Sequence, residues 1–244
     1  MKTKWAILSD IHGNLEAFRA VIQNLSGERV ERIAFLGDVV GYGADPNECL
    51  SLLKSLTGLI VAGNHDYGAV GLTDVSYFNP MAKEAILWTG EKLTEESRAF
   101  LRGLPLWHEV EGITFVHATP NESGEWNYIF NPREARESFR AMSGEVVFIG
   151  HSHYPLIFAE KEGRIISVLE EEEIILQEGM RYIINVGSVG QPRDRNLRAA
   201  YGLYDEGSKK YLLKRVPYDV PTAQKKILKA GLPPFLAQRL ALGV

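Results

Sequence analysis

Short apolar runs rich in β-branched residues alternate with polar clusters along the first part of the chain. The runs WAIL, RIAFL and LIVA predict buried strands over residues 5–8, 33–36 and 59–62. The spacing of apolar positions predicts a helix over 14–25. A second helix is predicted over 46–56, where Asp45 precedes Pro46 as a helix cap precedes a first-turn proline. This β-α-β-α-β order indicates parallel strands with right-handed crossovers.

The rest of the chain has a different pattern. Residues 67–104 are predicted to be mostly helical. The further predicted strands lie at 113–116, 146–149, 156–159, 164–168, 174–177, 183–186, 200–204 and 211–216, and Gly-containing turns between several of them indicate antiparallel hairpins. A tail from about residue 222 is predicted to hold two amphipathic helices. We therefore predict a single domain, 1–244, of the α/β class (α+β in part), with two sheets packed face to face and helices outside.

Composition narrows the function classes. The chain has 244 residues with a net charge of -4, which gives no electrostatic basis for stable nucleic-acid binding. The lone cysteine, Cys49, excludes an intrachain disulfide and favours a cytoplasmic location. No apolar run approaches the roughly 18 residues of a transmembrane helix, and the first residues do not have the pattern of a secretory signal. We therefore expect no membrane association.

Five polar clusters each follow an apolar run, and together they hold five of the six histidines. They are SDIHGN (9–14), GDVVGYG (37–43), GNHD (63–66), VHATP (116–120) and GHSH (150–153). Residues that follow strands in this way are expected to meet along one edge of a sheet, where open α/β sheets hold their ligands. The candidate metal ligands are Asp10, His12, Asp38, Asn64, His117, His151 and His153.

This donor set contains nitrogen and oxygen but no thiolate. It suits manganese, which we favour, or iron, zinc, cobalt or nickel, and it argues against calcium and against a structural zinc site. Seven donors are too many for one ion, whereas two divalent ions about 3.5–4 Å apart would fit and would suit phosphoryl displacement. Each cluster alone has an ordinary explanation as a helix cap, a turn or a packed histidine. Their conjunction favours a metal centre.

The order D-x-H, GD, GNH, H, GH-x-H resembles that of the calcineurin-like metallophosphoesterase superfamily, and NVGSVGQPRD (185–194) extends the resemblance. The resemblance implies a four-layer α-β-β-α sandwich of two mixed sheets. It also implies that Asp10, His12 and His153 hold one ion, that Asn64, His117 and His151 hold the other, and that Asp38 bridges them. It further implies that metal-bound hydroxide attacks phosphorus.

In the same pattern His65 resembles the general acid that protonates the leaving group. Asp66 is expected to orient the imidazole of His65 and to raise its pKa. Arg193 and Asn14 are weaker candidates for substrate contacts, as are Arg195 and Arg133. The backbone amides of the Gly-rich loop 187–190 are a candidate anion nest. Three aromatic residues are candidates to stack on a nucleobase: Tyr42, Trp126 and Tyr128.

The second cluster departs from related families. Serine/threonine protein phosphatases carry GD-x-VDRG and GNHE, whereas this chain has Gly41-Tyr42-Gly43 and Asp66 at those places. The missing arginine argues against protein phosphatase activity, which stays an alternative together with a noncatalytic scaffold. The chain looks more like compact bacterial and archaeal phosphodiesterases, including proteins that resemble asymmetrical diadenosine tetraphosphate hydrolases. The expected partner is a phosphate ester or nucleotide, and the sequence leaves the oligomeric state open.

Overall fold

The computed structural model describes residues 3–244, and within that range it contains twelve strands and eight α-helices. The strands are β1 (Lys4–Leu8), β2 (Arg32–Phe35), β3 (Leu59–Ile60), β4 (Trp107–Val110), β5 (Ile113–Val116), β6 (Val146–Ile149), β7 (Leu156–Lys161), β8 (Arg164–Leu169), β9 (Glu173–Ile175), β10 (Arg181–Asn185), β11 (Ala199–Asp205) and β12 (Lys210–Val216). The helices are α1 (Leu15–Leu25), α2 (Pro46–Leu56), α3 (Asn64–Ala69), α4 (Pro80–Lys92), α5 (Glu95–Arg102), α6 (Pro132–Ala141), α7 (Val220–Lys229) and α8 (Pro234–Gln238).

The strands form two mixed sheets. The first has the order β3-β2-β1-β11-β12-β9, and the second has the order β4-β5-β6-β10-β7-β8. Strands β1, β2 and β3 are parallel, as are β5, β6 and β10, and the remaining pairings are antiparallel. The carboxyl ends of the parallel strands therefore carry the loops that contain the five polar clusters.

Alternation along β1 shows how the layers are built. Trp5 and Ile7 pack in a cluster with residues of the second sheet, whereas Ala6 and Leu8 pack in a different cluster with residues of α1. Successive side chains of a strand point to opposite faces, so one strand serves both the space between the sheets and the helical layer outside. Phe139 of α6 covers the outer face of the second sheet in the same way. The four layers are thus helices, sheet, sheet and helix, and the predicted fold class is confirmed.

The two helices of the C-terminal tail pack beside the GDVVGYG loop. Ile227 of α7 and Leu236 of α8 share a buried cluster with Tyr42. Lys226 of α7 also forms salt bridges with Glu16, at 2.6 Å, and Asp45, at 2.8 Å. Asp45 occupies the N-cap position of α2 and Pro46 its first residue, as the sequence predicts, but the side chain of Asp45 makes no cap hydrogen bond. The Asp45 carboxylate is engaged by Lys226 instead.

The sequence pattern misses two elements. Strand β4 lies at the edge of the second sheet, where Trp107 is 54% exposed, so it lacks the apolar run of a buried strand. Helix α6 reads PREARESFRA, and its buried side chains are mostly small: Ala135, Ser138 and Phe139. Among residues 3–244, none of the helices has both the length and the apolar character that crossing a bilayer demands.

We predict that Ile227→Ala destabilises the protein because it removes a buried side chain from the cluster that joins the tail to the GDVVGYG loop. The free energy of unfolding should fall by about 2–5 kcal/mol, measured by urea denaturation. The neighbouring Leu228 is 53% exposed, so Leu228→Ala is the matched control and should change the free energy by no more than about 0.5 kcal/mol. Equal effects of the two substitutions would show that α7 is not packed as described.

Candidate metal centre

Backbone hydrogen bonds join the loops after the strands at one edge of the two sheets. Within the first sheet, the amide of Asp10 donates to the carbonyl of Gly37 at 3.0 Å. Within the second, the amide of Gly150 donates to the carbonyl of His117 at 2.9 Å. The two sheets are joined at this edge by Asp10, whose Oδ2 accepts from the amide of His151 at 3.1 Å. All five polar clusters therefore contribute to one buried region.

Five of the seven candidate ligands have left-handed backbone conformations. Their φ angles are 55° for Asp10, 51° for His12, 60° for Asp38, 65° for His151 and 61° for His153. Each such residue costs on the order of 1–3 kcal/mol and persists only where the surrounding structure fixes it. The turn redirects each chain abruptly after its strand and aims the side chain inward. Strain that is concentrated at the candidate ligands is typical of a functional site.

The imidazole rings are held by main-chain carbonyls on the side away from the centre. Nδ1 of His12 lies 3.0 Å from the carbonyl of Val40, and Nδ1 of His153 lies 2.6 Å from that of Gln191. A carbonyl only accepts, so Nδ1 carries the proton in each ring and Nε2 of a neutral ring is an acceptor. These two Nε2 atoms face each other at 3.0 Å. Two lone pairs at this distance repel unless a cation lies beside them.

The same logic applies to the second pair of rings. Nδ1 of His117 lies 2.7 Å from the carbonyl of Leu36, and Nε2 of His151 lies 2.9 Å from that of Trp126. The nitrogens left over, Nε2 of His117 and Nδ1 of His151, lie 3.2 Å apart. Oδ1 of Asn64, which also only accepts, lies 3.3 Å from Nε2 of His117.

Two carboxylates complete the cluster. Oδ1 of Asp10 is buried without a hydrogen-bond donor and lies 3.2 Å from Nε2 of His153 and 3.5 Å from Nε2 of His12. Oδ2 of Asp38 lies between the two pairs of rings, 3.3 Å from Nε2 of His117 and 3.7 Å from Nε2 of His12. The metal-ligand atoms thus form two groups with Asp38 between them. With His117 in its neutral form, these converging acceptors fit two cations, and the residues present suit divalent metal ions.

The pKa values follow from burial and from this crowding of charge. Burial would raise the pKa of Asp38, but His117 and His65 hold it below its usual range. Burial lowers the pKa of His117, but Asp38 outweighs burial and raises it to about 9. Burial lowers the pKa of both His151 and His153 to about 3. Imidazoles bind metals in the neutral form, so a metal ion bound by His117 would have to displace the proton that this ring otherwise carries at neutral pH.

His65 lies beside the cluster rather than within either pair of rings. Its ring packs against Tyr42 at 4.4 Å and Phe78 at 5.1 Å between centroids, and its amide donates to Oδ1 of Asp38 at 2.8 Å. Nδ1 of His65 is buried without a hydrogen-bond partner among the described residues. Burial lowers the pKa of this imidazole well below its ordinary value.

The expectation that Asp66 orients the imidazole of His65 and raises its pKa is wrong. The Asp66 carboxylate instead accepts four backbone amides, from Asp38 at 2.7 Å, Val39 at 3.0 Å, Val40 at 3.3 Å and Gly63 at 3.0 Å. Burial and the nearby Asp38 raise the pKa of Asp66 to about 7. Asp66 therefore fixes the loop that presents Asp38, which is a positioning role.

Asn14 and the loop 187–190 both have structural roles. The side chain of Asn14 links two loops, since Oδ1 caps α1 at the amide of Ala17 and Nδ2 donates to the carbonyl of Gly190. A contact between Asn14 and substrate stays a prediction. The amides of loop 187–190 are also engaged, because Val189 donates to the carbonyl of Ser9 and Gly190 to that of Asp10. This loop therefore supports the loop after β1 and is not an anion nest.

Arg193 is the cation that the structure places near the site. Its Nη2 donates to Oε1 of Gln191 at 2.9 Å and to the hydroxyl of Tyr42 at 3.4 Å, and its guanidinium lies 5.7 Å from the Tyr42 ring centroid. Among residues 3–244 it has no carboxylate partner within salt-bridge distance. Arg133 and Arg195 are exposed, on α6 and on the loop before β11, and neither is brought into the cluster.

A cleft of about 570 Å³ opens directly above the cluster, which the sequence pattern does not predict. Its floor includes Asn64, His65 and His151, and its walls come from residues 72–79 and 124–128. Its volume lies within the range of about 300–1,000 Å³ for small-molecule sites. Two of the three aromatic residues singled out in the sequence, Trp126 and Tyr128, are in the walls, and Tyr42 is at the floor.

The chain is similar in sequence to known proteins. The sequence model of the calcineurin-like phosphoesterase superfamily domain matches residues 3–208. An uncharacterized protein of Methanocaldococcus jannaschii is 43% identical over 247 residues, which cover 100% of this chain and 99% of that protein. A symmetrical bis(5′-nucleosyl)-tetraphosphatase of Coxiella burnetii is 28% identical over 188 residues, which cover 73% of this chain and 60% of that enzyme.

Solved structures agree on the fold. A metallophosphoesterase from Sphaerobacter thermophilus superposes with a TM-score of 0.90 at 37% identity, covering 100% of both chains. A hypothetical protein from Pyrococcus horikoshii superposes with a TM-score of 0.77 at 23% identity, covering 99% of this chain and 98% of that one, which shows a shared fold.

We predict that Asp66→Asn weakens metal binding although Asp66 is not a candidate ligand. The side-chain amide of the variant would turn its own N–H donors toward backbone amides that donate to the Asp66 carboxylate in the wild type. Each buried donor left unpaired would destabilise the loop by about 1–3 kcal/mol. Manganese affinity, measured by calorimetry, should fall about 10–100-fold. Asp205 accepts the amides of Gly207 and Ser208 in an exposed turn, so Asp205→Asn is the control and should bind manganese as the wild type does. Unchanged manganese affinity in Asp66→Asn would show that Asp66 does not have this positioning role.

Proposed function

The chain belongs to the calcineurin-like phosphoesterase superfamily, and from this premise we propose that it is a phosphoesterase that uses two divalent metal ions to hydrolyse phosphodiester or nucleotide polyphosphate bonds. The observation that carries the proposal is the pair of imidazole acceptors of His12 and His153, which face each other at 3.0 Å while their other nitrogens are committed to carbonyls. A cation held beside both nitrogens would stabilise this arrangement of neutral rings.

In this proposal Asp10, His12 and His153 hold one ion, and Asn64, His117 and His151 hold the other, with Asp38 shared between them. When bound, the ions would supply Lewis-acid charge for the phosphate and a water of lowered pKa as nucleophile. Manganese is the ion that we propose, and iron, zinc, cobalt and nickel suit the same donors. The chain's contribution is to hold the donors rigidly, through carbonyls on the far side of each ring.

His65 is the proposed general acid. It lies on the floor of the cleft beside the metal cluster, where it can reach the oxygen of a leaving group. Burial depresses the pKa of its imidazole in the absence of substrate. A phosphate anion placed beside the ring would favour its charged form and so would restore its proton. Arg193 is the proposed contact for a phosphate oxygen, because its guanidinium lies near the cluster without a carboxylate partner.

We predict that purified protein contains close to two metal ions per chain by elemental analysis. With manganese added, it should hydrolyse members of a panel of bis-p-nitrophenyl phosphate, p-nitrophenyl phosphate, cyclic nucleotides, diadenosine tetraphosphate and a phosphopeptide. Asp38→Ala should lose both the metal and the activity, because it removes the carboxylate between the two groups. Protein with no metal and no turnover on any substrate would overturn the proposal in favour of a scaffold role. Turnover of the phosphopeptide above all diesters would favour a protein phosphatase.

We predict that His65→Asn keeps both metal ions but lowers kcat by about 10²–10⁴-fold on a diester with an alkyl leaving group. The decrease should be much smaller on bis-p-nitrophenyl phosphate, because p-nitrophenolate leaves without protonation. His108 lies on β4, away from the metal cluster, so His108→Asn is the matched control and should retain full activity. A kcat of His65→Asn that equals the wild-type value on the alkyl diester would remove the general-acid assignment.

A further inference from the structure

The cleft above the metal cluster has a chemical character of its own. We call it the aromatic cleft and define it by its two walls, residues 72–79 and 124–128, and its floor of Tyr42, Asn64, His65 and His151. The two walls are joined by the indole Nε1 of Trp126, which donates to Oγ1 of Thr73 at 3.2 Å. This contact closes one side of the cleft directly above the second group of candidate ligands.

The position of His65 assigns the cleft to one half of the substrate. A general acid must lie within hydrogen-bond reach of the oxygen that it protonates. Since His65 is on the floor of the aromatic cleft, the leaving group must extend into the cleft. Arg193 does not line the cleft, although its Nη2 donates to the hydroxyl of Tyr42, which does. The part of the substrate that stays with the transferred phosphate is therefore assigned outside the cleft.

The walls carry negative charge and no positive charge. Asp74 and Glu125 line the cleft, and none of its lining residues is a lysine or an arginine. The Asp74 carboxylate accepts the amide and the hydroxyl of Ser76, both at 2.8 Å, which favours its ionised form. A leaving group that carries further phosphates would bring like charges together here. The repulsion would be strongest at low ionic strength, where screening is weak.

The walls also offer aromatic surface. Tyr77 is 90% exposed at the cleft, and no hydrogen bond within residues 3–244 fixes its hydroxyl. Tyr128 stacks on His151 at 4.0 Å and on Phe130 at 5.5 Å between centroids, so this wall is rigid. An exposed ring beside a rigid aromatic wall is a surface on which a planar base can stack, whatever the base.

We propose that the aromatic cleft binds the leaving alcohol of the substrate and selects an uncharged alcohol with a planar ring system, such as a nucleoside, over a leaving group that bears further phosphates. The selection depends on Tyr77 for stacking and on Asp74 and Glu125 for charge. It rests on the proposed function, because it assigns the two halves of the substrate around the same metal centre. It disfavours diadenosine tetraphosphate, whose leaving group is a nucleotide.

The test compares kcat/KM for three substrates at low ionic strength with manganese added. Bis-p-nitrophenyl phosphate reports the proposed function, thymidylyl-thymidine has an uncharged nucleoside as leaving group, and diadenosine tetraphosphate has a charged one. The wild type should prefer thymidylyl-thymidine to diadenosine tetraphosphate by at least about tenfold. Tyr77→Ala should lower kcat/KM for thymidylyl-thymidine by about tenfold or more, consistent with the loss of one stacking contact.

The second part of the test reverses a charge in the wall of the cleft. Glu125→Lys should raise kcat/KM for diadenosine tetraphosphate relative to thymidylyl-thymidine by about tenfold at low salt, and added salt should reduce this change. Glu91 is exposed on α4 and does not line the cleft, so Glu91→Lys makes the same change in net charge and should leave the ratio within about twofold.

The outcomes separate the two proposals. Suppose that bis-p-nitrophenyl phosphate is hydrolysed but the wild type prefers diadenosine tetraphosphate. In that case, or if neither Tyr77→Ala nor Glu125→Lys changes the ratio of kcat/KM for thymidylyl-thymidine to that for diadenosine tetraphosphate, the cleft assignment is wrong and the proposed function stands. If none of the three substrates is hydrolysed by metal-loaded protein, the proposed function itself is wrong. A change in the ratio with both variants, and none with Glu91→Lys, supports the assignment.

Discussion

The structure depends on one electrostatic constraint, which is that buried acceptors converge on the same space. Four imidazoles donate outward to main-chain carbonyls and therefore present their lone pairs inward, toward each other and toward Asp10 and Asp38. Burying such groups without a counter-charge is unfavourable by several kcal/mol. Positive charge must balance them, and the carboxylates of Asp38 and Asp10 accordingly raise the pKa of His117 to about 9. Divalent metal ions would satisfy every acceptor at once.

The scaffold has to hold these acceptors in place against their mutual repulsion. Left-handed backbone at five candidate ligands aims them inward, and this strain is offset by hydrogen bonds between loops. The hydrogen bonds that four backbone amides donate to the Asp66 carboxylate fix the loop that carries Asp38. Gly63 is required there as well, because a Cβ at this position would lie 2.0 Å from Oδ1 of Asp38. Two cores on the faces of the first sheet then anchor the strands from which these loops emerge.

The sequence predicts what is local and misses what is long-range. Strand ends and the convergence of the donors at one edge are predictable because each cluster directly follows its own strand, as Asp10 follows β1. The assignment of each donor to one ion or the other comes from the family resemblance instead. The role of Asp66 is not predictable, because the amides at residues 38–40 that it accepts are distant in sequence. A carboxylate next to a histidine in sequence is just as readily interpreted as the hydrogen-bond partner of that histidine. Asn14 is similar, because its contact with Gly190 spans 176 residues. The aromatic cleft is built from two separate loops, and no periodicity in either one indicates that they meet.

The GDVVGYG loop shows how the fold accommodates the absence of the arginine that related phosphatases carry there. Gly41 is necessary because a Cβ at this position would lie 2.5 Å from Nδ1 of His65, so the loop can approach the imidazole only without a side chain. Tyr42 then packs on His65, and its hydroxyl accepts from Arg193, which comes from the distant 185–194 segment. Positive charge thus reaches the site from a different loop, whereas the carboxylates of Asp74 and Glu125 line the cleft that Arg193 does not line. Under the proposed function, this distribution of charge would favour one orientation of an asymmetric phosphodiester, with its charged end near Arg193 and its uncharged end against Tyr77 and Trp126.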